Sequence, residues 1–319
     1  MKRYIILLIL LLAAVAFPQA KVGTAEGQFL EIGVSARATG MGETFTATAN
    51  DVSAIYYNPG GLGLLKRKEA MFSHIAYIAD INYEWGAIAA PVPWTGGVAG
   101  LSISSLSTGE MYETTPSHPE GTGRTFTAND FAAGLTYSQV LTDRFSAGVT
   151  WKFIAESYAD VSATTWAVDV GTMYRTQFHD WRIGMAITNF GPDITFIQAP
   201  APLPMAFHLA VAGEVIESDM HKLTTSLGIS HPNDALEKFN VGAEYWWNKK
   251  VALRAGLKAQ GDDAGSFAEI PGTGIHLIHY SFGGGVDIPV YLYNIKVDYS
   301  FTDRGWFAPV HRFTFGMEF

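Results

Sequence analysis

The chain has 319 residues, a formal net charge of −9 at neutral pH and only 16% charged side chains. An ordinary soluble domain carries about 25% charged residues, and an acidic chain is a poor partner for nucleic acid. The sequence has no cysteine, which excludes disulfides, thiolate metal sites and a lipid-modified cysteine anchor. We therefore expect no cofactor, no bound metal and no nucleic-acid partner, and the composition permits an envelope location.

Residues 1–20 have the layout of a cleaved secretory signal. Two basic residues precede an apolar run from Ile5 to Val15, and small residues follow up to Ala20. An uncleaved anchor helix is the alternative, but the apolar run is shorter than the roughly 20 residues that a membrane span needs. We predict export, with cleavage after Ala20 or Ala16, which leaves a mature chain with a charge of −11.

Residues 21–69 differ in composition from the remainder of the chain. They are rich in Gly, Ala and Thr, include a possible short helix near 51–57, and end in Asn58-Pro59-Gly60-Gly61. The glycines lack the Gly-Lys-Ser/Thr ending of a phosphate-binding loop. The segment is too apolar for a solvated tail, so we predict that it lies inside the following domain as a plug, or hatch.

Residues 70–319 alternate between apolar and polar side chains. In the last strand Phe313 and Phe315 lie on one face, whereas Arg312 and Thr314 lie on the other. A soluble β-sandwich would also alternate, but segments of about ten residues match the length of a tilted membrane-crossing strand. We predict an all-β membrane protein, an antiparallel transmembrane β-barrel of about fourteen strands. The predicted strands are 70–79, 82–91, 97–106, 128–138, 144–157, 162–175, 181–190, 204–215, 222–231, 237–247, 250–259, 274–285, 290–301 and 309–319.

The connections support this strand count. The long connections 107–127, 191–203 and 260–273 all follow odd-numbered strands, whereas tight turns near 142–143, 248–249 and 286–289 follow even-numbered strands. Outer-membrane barrels have long outer loops and short periplasmic turns. An even strand number, with both termini in the periplasm, follows.

Charged residues on the polar face are expected to line the lumen, because a charge that faces lipid at mid-depth costs roughly 2 to 4 kcal/mol. Both signs are present, which favours cross-strand pairing over an ion filter of one sign. The lumen-lining candidates are Lys152, Asp169, Arg182, Glu244, Arg254, Lys258, Lys296, Asp298 and Arg312.

The N-terminal segment also carries a family resemblance. FLEIGVSARATGMGE at 29–43 and NDVSAIYYNPGGL at 50–62 resemble the amino-terminal signature of the PorV/PorQ outer-membrane proteins, which are related to the FadL fatty-acid transporters. The FadL plug carries a similar Asn-Pro-Ala, in which Gly60 here replaces the alanine. The plug-motif residues are Arg37, Gly40, Gly42, Asn58, Pro59, Gly60 and Gly61. The resemblance implies a fourteen-stranded barrel with an N-terminal hatch in the bacterial outer membrane.

Two functions follow as hypotheses. For the PorV branch the resemblance implies a type IX secretion component, and the long outer loops would bind exported proteins. The alternative is a FadL-like passive transporter of hydrophobic molecules, for which the apolar loop residues Phe196, Ile197 and Leu203 could form a surface groove.

The remaining expectations concern catalysis and assembly. Ser226 and His208 could face inward on neighbouring strands, but no motif fixes their geometry, so we expect no enzyme. The aromatic C-terminus at Phe319 resembles the signal read by the barrel assembly machinery. The expected partners are therefore outer-membrane lipid, this machinery, and either secreted cargo or a hydrophobic small molecule.

Overall fold

Fourteen antiparallel strands form one sheet that closes on itself. The computed structural model describes residues 23–178, 180–261, 268–270, 275–305 and 307–319, so the predicted signal at 1–20 lies outside the described residues. The first strand pairs with both the second and the last strand, with Phe72 opposite Gly86 on one side and Phe315 on the other. The predicted closed fourteen-stranded barrel is confirmed, and the β-sandwich alternative is wrong. The strands are β1 Glu69–Ala76, β2 Asn82–Val92, β3 Gly97–Ser107, β4 Ala128–Thr142, β5 Phe145–Tyr158, β6 Val161–Arg175, β7 Arg182–Phe190, β8 Ala206–Glu217, β9 His221–Pro232, β10 Lys238–Trp247, β11 Val251–Gly261, β12 Ile275–Val290, β13 Tyr293–Arg304 and β14 Phe307–Glu318.

The alternation in the sequence decides which face of each strand points outward. Phe313 and Phe315 of β14 are about half exposed, whereas Arg312 and Thr314, which alternate with them, are buried. The same pattern in the other strands gives the barrel an apolar outer face and a polar inner face, as lipid on one side and polar groups on the other require.

Two strands extend beyond their predicted ends, and one predicted turn is misplaced. β4 continues to Thr142 and β12 to Val290, while all other ends agree within three residues. The tight turn predicted at 286–289 is wrong, because those residues pair with β13 and the turn lies at Tyr291 and Leu292. Tyr291 adopts a positive φ of 52°, which allows a two-residue turn. The apolar residues Tyr291 and Leu292 do not indicate a turn in the sequence.

The three long connections lie at one end of the barrel, as predicted. They are 108–127, 191–205 and the connection between β11 and β12, whose described part is the short strand Ala268–Ile270, paired with β12. The first carries a short antiparallel pair, Met111–Tyr112 with Thr125–Phe126, and the second carries Ile194–Thr195 with Pro200–Ala201. We call this the outer end, and we call the end with the turns 143–144, 248–250 and 291–292 the inner end.

The N-terminal segment lies within the closed sheet. It forms a 3-10 turn at Gln28–Glu31 and three short helices, α1 Ala36–Gly40, α2 Ala54–Tyr57 and α3 Pro59–Leu62. α1 contacts β11 to β14, and α3 contacts β4 to β7 on the other side of the barrel. Within the described part of the chain, no helix is long and apolar enough to cross a membrane.

Candidate functional site

A buried ion network joins α1 to the inner half of the barrel wall. Arg37 binds Glu244 through two hydrogen bonds, Nε to Oε2 at 2.8 Å and Nη2 to Oε1 at 2.9 Å, and it also donates to Asp51 at 2.8 Å. Arg254 continues the network from Glu244 at 2.7 Å to Asp298 at 2.5 Å. Burial would lower the pKa of Arg37, but Glu244 and Asp51 outweigh it and raise that pKa well above its ordinary value.

A second group of charges joins the same segment to the strands that close the barrel. Glu69 of β1 accepts a hydrogen bond from the Val52 backbone N–H at 3.0 Å and pairs with Lys296 at 3.1 Å. Lys296 also pairs with Glu318 of β14. The seam between the first and last strands is therefore linked by charge to the buried segment.

A third link lies toward the outer end. Glu43 pairs with Lys258 of β11, and Arg312 of β14 donates from Nε to the Gly33 carbonyl at 2.9 Å. Burial would raise the pKa of Glu43, but the cations Lys258, Arg304 and Arg312 overcome this and lower the pKa to about 2. Glu43 therefore remains a carboxylate at neutral pH.

The Asn-Pro-Gly-Gly motif fixes α3 against the wall. Asn58 caps the helix, because its Oδ1 accepts from the Gly60 N–H at 3.0 Å while its Nδ2 donates to the carbonyls of Thr46 at 2.7 Å and Thr172 at 3.0 Å. Pro59 occupies the first helical position, where it needs no hydrogen bond.

The glycines of both motif stretches allow close backbone approach to the wall. A Cβ on Gly60 would lie 2.7 Å from the Gly171 carbonyl of β6, and one on Gly61 would overlap the Ala49 carbonyl. Gly40 and Gly42 of the first stretch lie against the backbones of β12 and β11 in the same way. A larger side chain at Gly40, Gly42 or Gly60 would push the segment from the sheet, whereas one at Gly61 would clash within the segment.

The three remaining charged positions of the predicted lumen lining also lie inside. Lys152 pairs with Asp169 at 2.8 Å, and the Asn189 backbone N–H donates to the same carboxylate at 2.7 Å. Arg182 pairs with Glu214 at 2.7 Å near the inner end.

A cavity of about 390 Å³ lies in the outer half of the barrel, between the N-terminal segment and the wall. A smaller void lies beside it, and Leu30, Tyr56 and Lys152 line both spaces. The cavity lining is mixed: it includes apolar side chains of the segment such as Phe29 and ionisable groups of the wall such as His208. The cavity can therefore accept a small ligand with both apolar and polar parts.

The predicted loop residues do not form one surface groove. Ile197 is exposed, and Phe196 packs on the Tyr158 ring with centroids 5.1 Å apart. Leu203 instead lies in the buried core, near Gly27. Because the loop folds back through its own strand pair at Ile194–Thr195, Leu203 points inward and cannot contact a surface ligand.

Several inward-facing residues were not anticipated. Asp51 and Glu69 bind the network, and Asp130, Glu156 and Tyr158 line or underlie the outer cavity. Asp130 and Glu156 could have been found by extending the alternation to the strand ends. Asp51 could not, because it lies outside any repeating pattern.

The polar residues considered for catalysis have structural partners. Ser226 lies 2.9 Å from the Thr44 hydroxyl, and His208 Nε2 lies 3.2 Å from the Thr188 hydroxyl. Within the described ranges, no group of three or more His, Asp or Glu side chains is arranged to hold a metal ion.

Comparisons with known proteins agree with this architecture. The family model described as "Type IX secretion system protein PorV" matches residues 16–232. No curated protein matches the chain. Among solved structures, the toluene transporter TodX of Pseudomonas putida has a TM-score of 0.61 and 12% identity, with 90% of this chain and 97% of that chain covered.

Two further structures share the fold. The toluene transporter TbuX of Ralstonia pickettii has a TM-score of 0.58 and 13% identity, with 90% of this chain and 97% of that chain covered. A FadL homologue of Pseudomonas aeruginosa has a TM-score of 0.54 and 11% identity, with 89% and 97% covered. At these identities the likeness shows a common FadL-like barrel fold. The family match covers more than half of the chain, so this protein belongs to the PorV family of type IX secretion system proteins and is a barrel of the bacterial outer membrane.

Proposed function

We propose that this barrel binds exported proteins through its outer loops as a component of type IX secretion, and that residues 21–69 act as a plug in the lumen. The observation that carries the proposal is the anchored N-terminal segment. Arg37, Glu43 and Asn58 tie it to opposite walls of the barrel. A folded protein or an extended chain could not pass through a lumen filled in this way, so contact with cargo would take place at the outer end.

The outer loops offer suitable contact residues. Tyr112 is 76% exposed in the 108–127 loop, and Ile197 is 76% exposed in the 191–205 loop. Exposed aromatic and aliphatic side chains at loop tips are typical anchors in protein interfaces. At the inner end Trp94 is similarly exposed, which supplies a matched control on the opposite side of the protein.

Capture of exported proteins by the purified full-length barrel tests this proposal. We expect the wild-type barrel to retain exported proteins carrying a sorting domain, and both Tyr112→Ala and removal of 108–127 to reduce the retained amount by at least about tenfold, as loss of a central anchor does. Trp94→Ala should retain the wild-type amount. Absence of cargo with every variant, or equal capture after removal of the loop, would contradict the proposal.

A passive transporter of hydrophobic molecules is the second candidate. The outer cavity and the smaller void share the lining residues Leu30, Tyr56 and Lys152, so a ligand in the first space lies next to the second. The solved barrels TodX and TbuX are toluene transporters by name, and this chain shares their fold. Movement of these three residues and of the plug would be needed for passage.

Uptake measurements separate the two candidates. In cells that express the barrel, uptake of toluene or a long-chain fatty acid should rise above background if the barrel is a transporter. Altering Asn58 and Pro59 should then change the rate, because they hold α3 against the wall. Uptake equal to that of cells without the barrel would exclude this candidate and leave the capture result unaffected.

The partners at insertion form part of the same proposal. The exposed apolar face of β14, with Phe313 and Phe315, would contact lipid. The aromatic C-terminus at Phe319 would be read by the barrel assembly machinery. Removal of Phe319 should therefore lower the amount of barrel in the outer membrane without changing the affinity of the assembled barrel for cargo.

A further inference from the structure

Two carboxylates face each other beside the outer cavity without a cation between them: Asp130 lines the cavity, and Glu156 lies next to it in the wall. Asp130 of β4 lies directly opposite Glu156 of β5 in the strand register. Asp130 is 6% exposed and Glu156 is 1% exposed. Like charges directly opposite each other destabilise a sheet, and burial of an unpaired charge is costly. This pair therefore departs from what fold stability alone would select.

The other buried acids of the barrel wall show the contrast. Asp169, Glu244 and Asp298 each lie within 2.8 Å of a lysine or arginine. Among the described residues, neither Asp130 nor Glu156 lies within ion-pair distance of a basic side chain. The barrel pairs its inward acids elsewhere, so an unpaired opposed pair at the cavity is a local exception.

The pair also has unused hydrogen-bonding capacity. Oδ1 of Asp130 and Oε1 of Glu156 are buried and accept no hydrogen bond of good geometry from a described residue, although the Gly27 backbone lies near Glu156 and the Tyr158 hydroxyl lies near Asp130. Glu156 Oε2 accepts from the Tyr158 hydroxyl at 2.9 Å. Asp130 and Tyr158 line the cavity together with Glu26 of the N-terminal segment, so a ligand in the cavity would reach the Asp130 carboxylate directly.

An aromatic surface lies beside the carboxylates. The Tyr158 ring packs on Phe196 of the 191–205 loop at 5.1 Å between centroids, and neither ring is fully buried. Aromatic faces attract ammonium and guanidinium groups, most strongly where water is excluded. Buried carboxylate oxygens beside such rings would complement an N–H-rich cation, which has donors and no acceptor.

We infer that the outer cavity binds an organic cation, a primary ammonium or guanidinium group, between Asp130, Glu156 and the Tyr158–Phe196 pair. The group belongs either to a small amine or to a lysine or arginine side chain of a peptide. The chemistry at the site is the same in both cases. This site does not depend on whether the outer loops capture exported proteins.

Titration calorimetry on the purified full-length barrel in detergent tests the inference. Benzylammonium is the first probe, and benzoate is its control of opposite charge but similar shape. Gly-Lys-Gly and its norleucine analogue Gly-Nle-Gly form the second pair of probes. We expect benzylammonium to bind and benzoate not to bind. If Gly-Lys-Gly also binds and Gly-Nle-Gly does not, the cation is a peptide side chain. If Gly-Lys-Gly does not bind, the cation is a small amine.

Three variants locate the site. Asp130→Asn and Glu156→Gln should each weaken benzylammonium binding by at least about tenfold, the factor expected for one lost charge-assisted hydrogen bond. Glu113→Gln removes the same charge from the exposed 108–127 loop and should bind like the wild type. Since the first two variants remove an unpaired buried charge, both should fold, which circular dichroism checks.

The inference is overturned if the wild-type barrel gives no binding heat with benzylammonium, or if benzoate binds equally well. It is also overturned if folded Asp130→Asn and Glu156→Gln both bind benzylammonium like the wild type. None of these results bears on capture of exported proteins, so this test and that of the proposed function can fail separately.

Discussion

Arg37 of the N-terminal segment and Glu244 of β10 are 207 positions apart in the chain, yet they form a two-point ion pair inside the barrel. The side chain of Arg37 is 16% exposed and that of Glu244 is 3% exposed. Because Glu244 also binds Arg254 of the wall, the pair connects the segment to a network that belongs to the barrel itself.

Loss of one partner in this pair should loosen the segment. Arg37→Gln leaves Glu244 with one of its two arginines, and truncation of a buried ion pair typically costs about 3 to 5 kcal/mol. We expect faster cleavage of residues 23–65 by added protease, while the barrel strands stay resistant. Arg124→Gln, which changes the same charge in an exposed loop, should leave the cleavage rate unchanged. Equal cleavage in Arg37→Gln and the wild type would show that the pair does not hold the segment.

The close packing of α3 on Ala49 of the same segment predicts strict size limits. Gly61→Ala would bring a methyl group into the Ala49 carbonyl, so we expect a lower unfolding temperature and a destabilisation of about 1 to 3 kcal/mol. Gly109→Ala is the matched control, because a Cβ at Gly109 meets no atom within 4 Å. Thermal unfolding followed by circular dichroism measures both variants. Unfolding of Gly61→Ala at the wild-type temperature would contradict the close packing of the motif against Ala49.

Asn58 makes contacts that only an amide side chain provides. Asn58→Asp keeps the acceptor for the Gly60 N–H but replaces the donor to the Thr46 and Thr172 carbonyls with an oxygen. We expect a loss of about 2 kcal/mol or more, the cost of leaving buried acceptors unpaired. Asn129→Asp, on an exposed strand end, serves as the control in the same unfolding assay. The prediction fails if both variants are equally stable.

Glu43 predicts a stability that depends on pH. Its pKa in the folded protein is about 2, below its ordinary value of 4.5. A carboxylate whose pKa is lowered by folding stabilises the folded protein at pH values above its pKa in the unfolded state. This contribution is lost as the pH falls from about 4.5 toward 2. Glu43→Gln should therefore be less stable than the wild type at pH 7, by an amount on the order of 2 kcal/mol. The difference should shrink as the pH falls.

Unfolding curves at pH 7, 4 and 2.5 check this dependence. Glu110→Gln, at an exposed loop position, should follow the wild type at each pH. A difference between Glu43→Gln and the wild type that stays constant over this range would mean that the carboxylate has no special role.

Much of the barrel could be predicted from sequence because each strand repeats a local rule. Phe313 and Phe315 alternate with Arg312 and Thr314, and a one-residue slip would expose every polar group to lipid. The end of β12 follows this rule too, since Val286, Ile288 and Val290 are exposed on the outer face, but Asp287 and Pro289 between them are residues typical of turns. There strand pairing, and not the turn propensity of single residues, determines the structure.

The interior of the site was harder to predict. The motif residues Arg37 and Asn58 could be singled out by resemblance, but their partners could not, because Glu244 and Thr172 are brought to them only by closure of the barrel. For Leu203 the sequence-based prediction of its surroundings was wrong. An apolar residue in a loop suggests an exposed contact, yet the loop turns it into the core.

The most direct test of the central claim, that the N-terminal segment fills the lumen, is the electrical conductance of the wild-type barrel in a planar lipid bilayer. We predict no steady open-channel current for the wild type, and discrete open steps when Arg37→Gln and Glu43→Gln are combined to remove the ion pairs that hold the segment to the neighbouring strands β10 and β11. A large steady conductance of the wild-type barrel, like that of a water-filled pore, would contradict the claim.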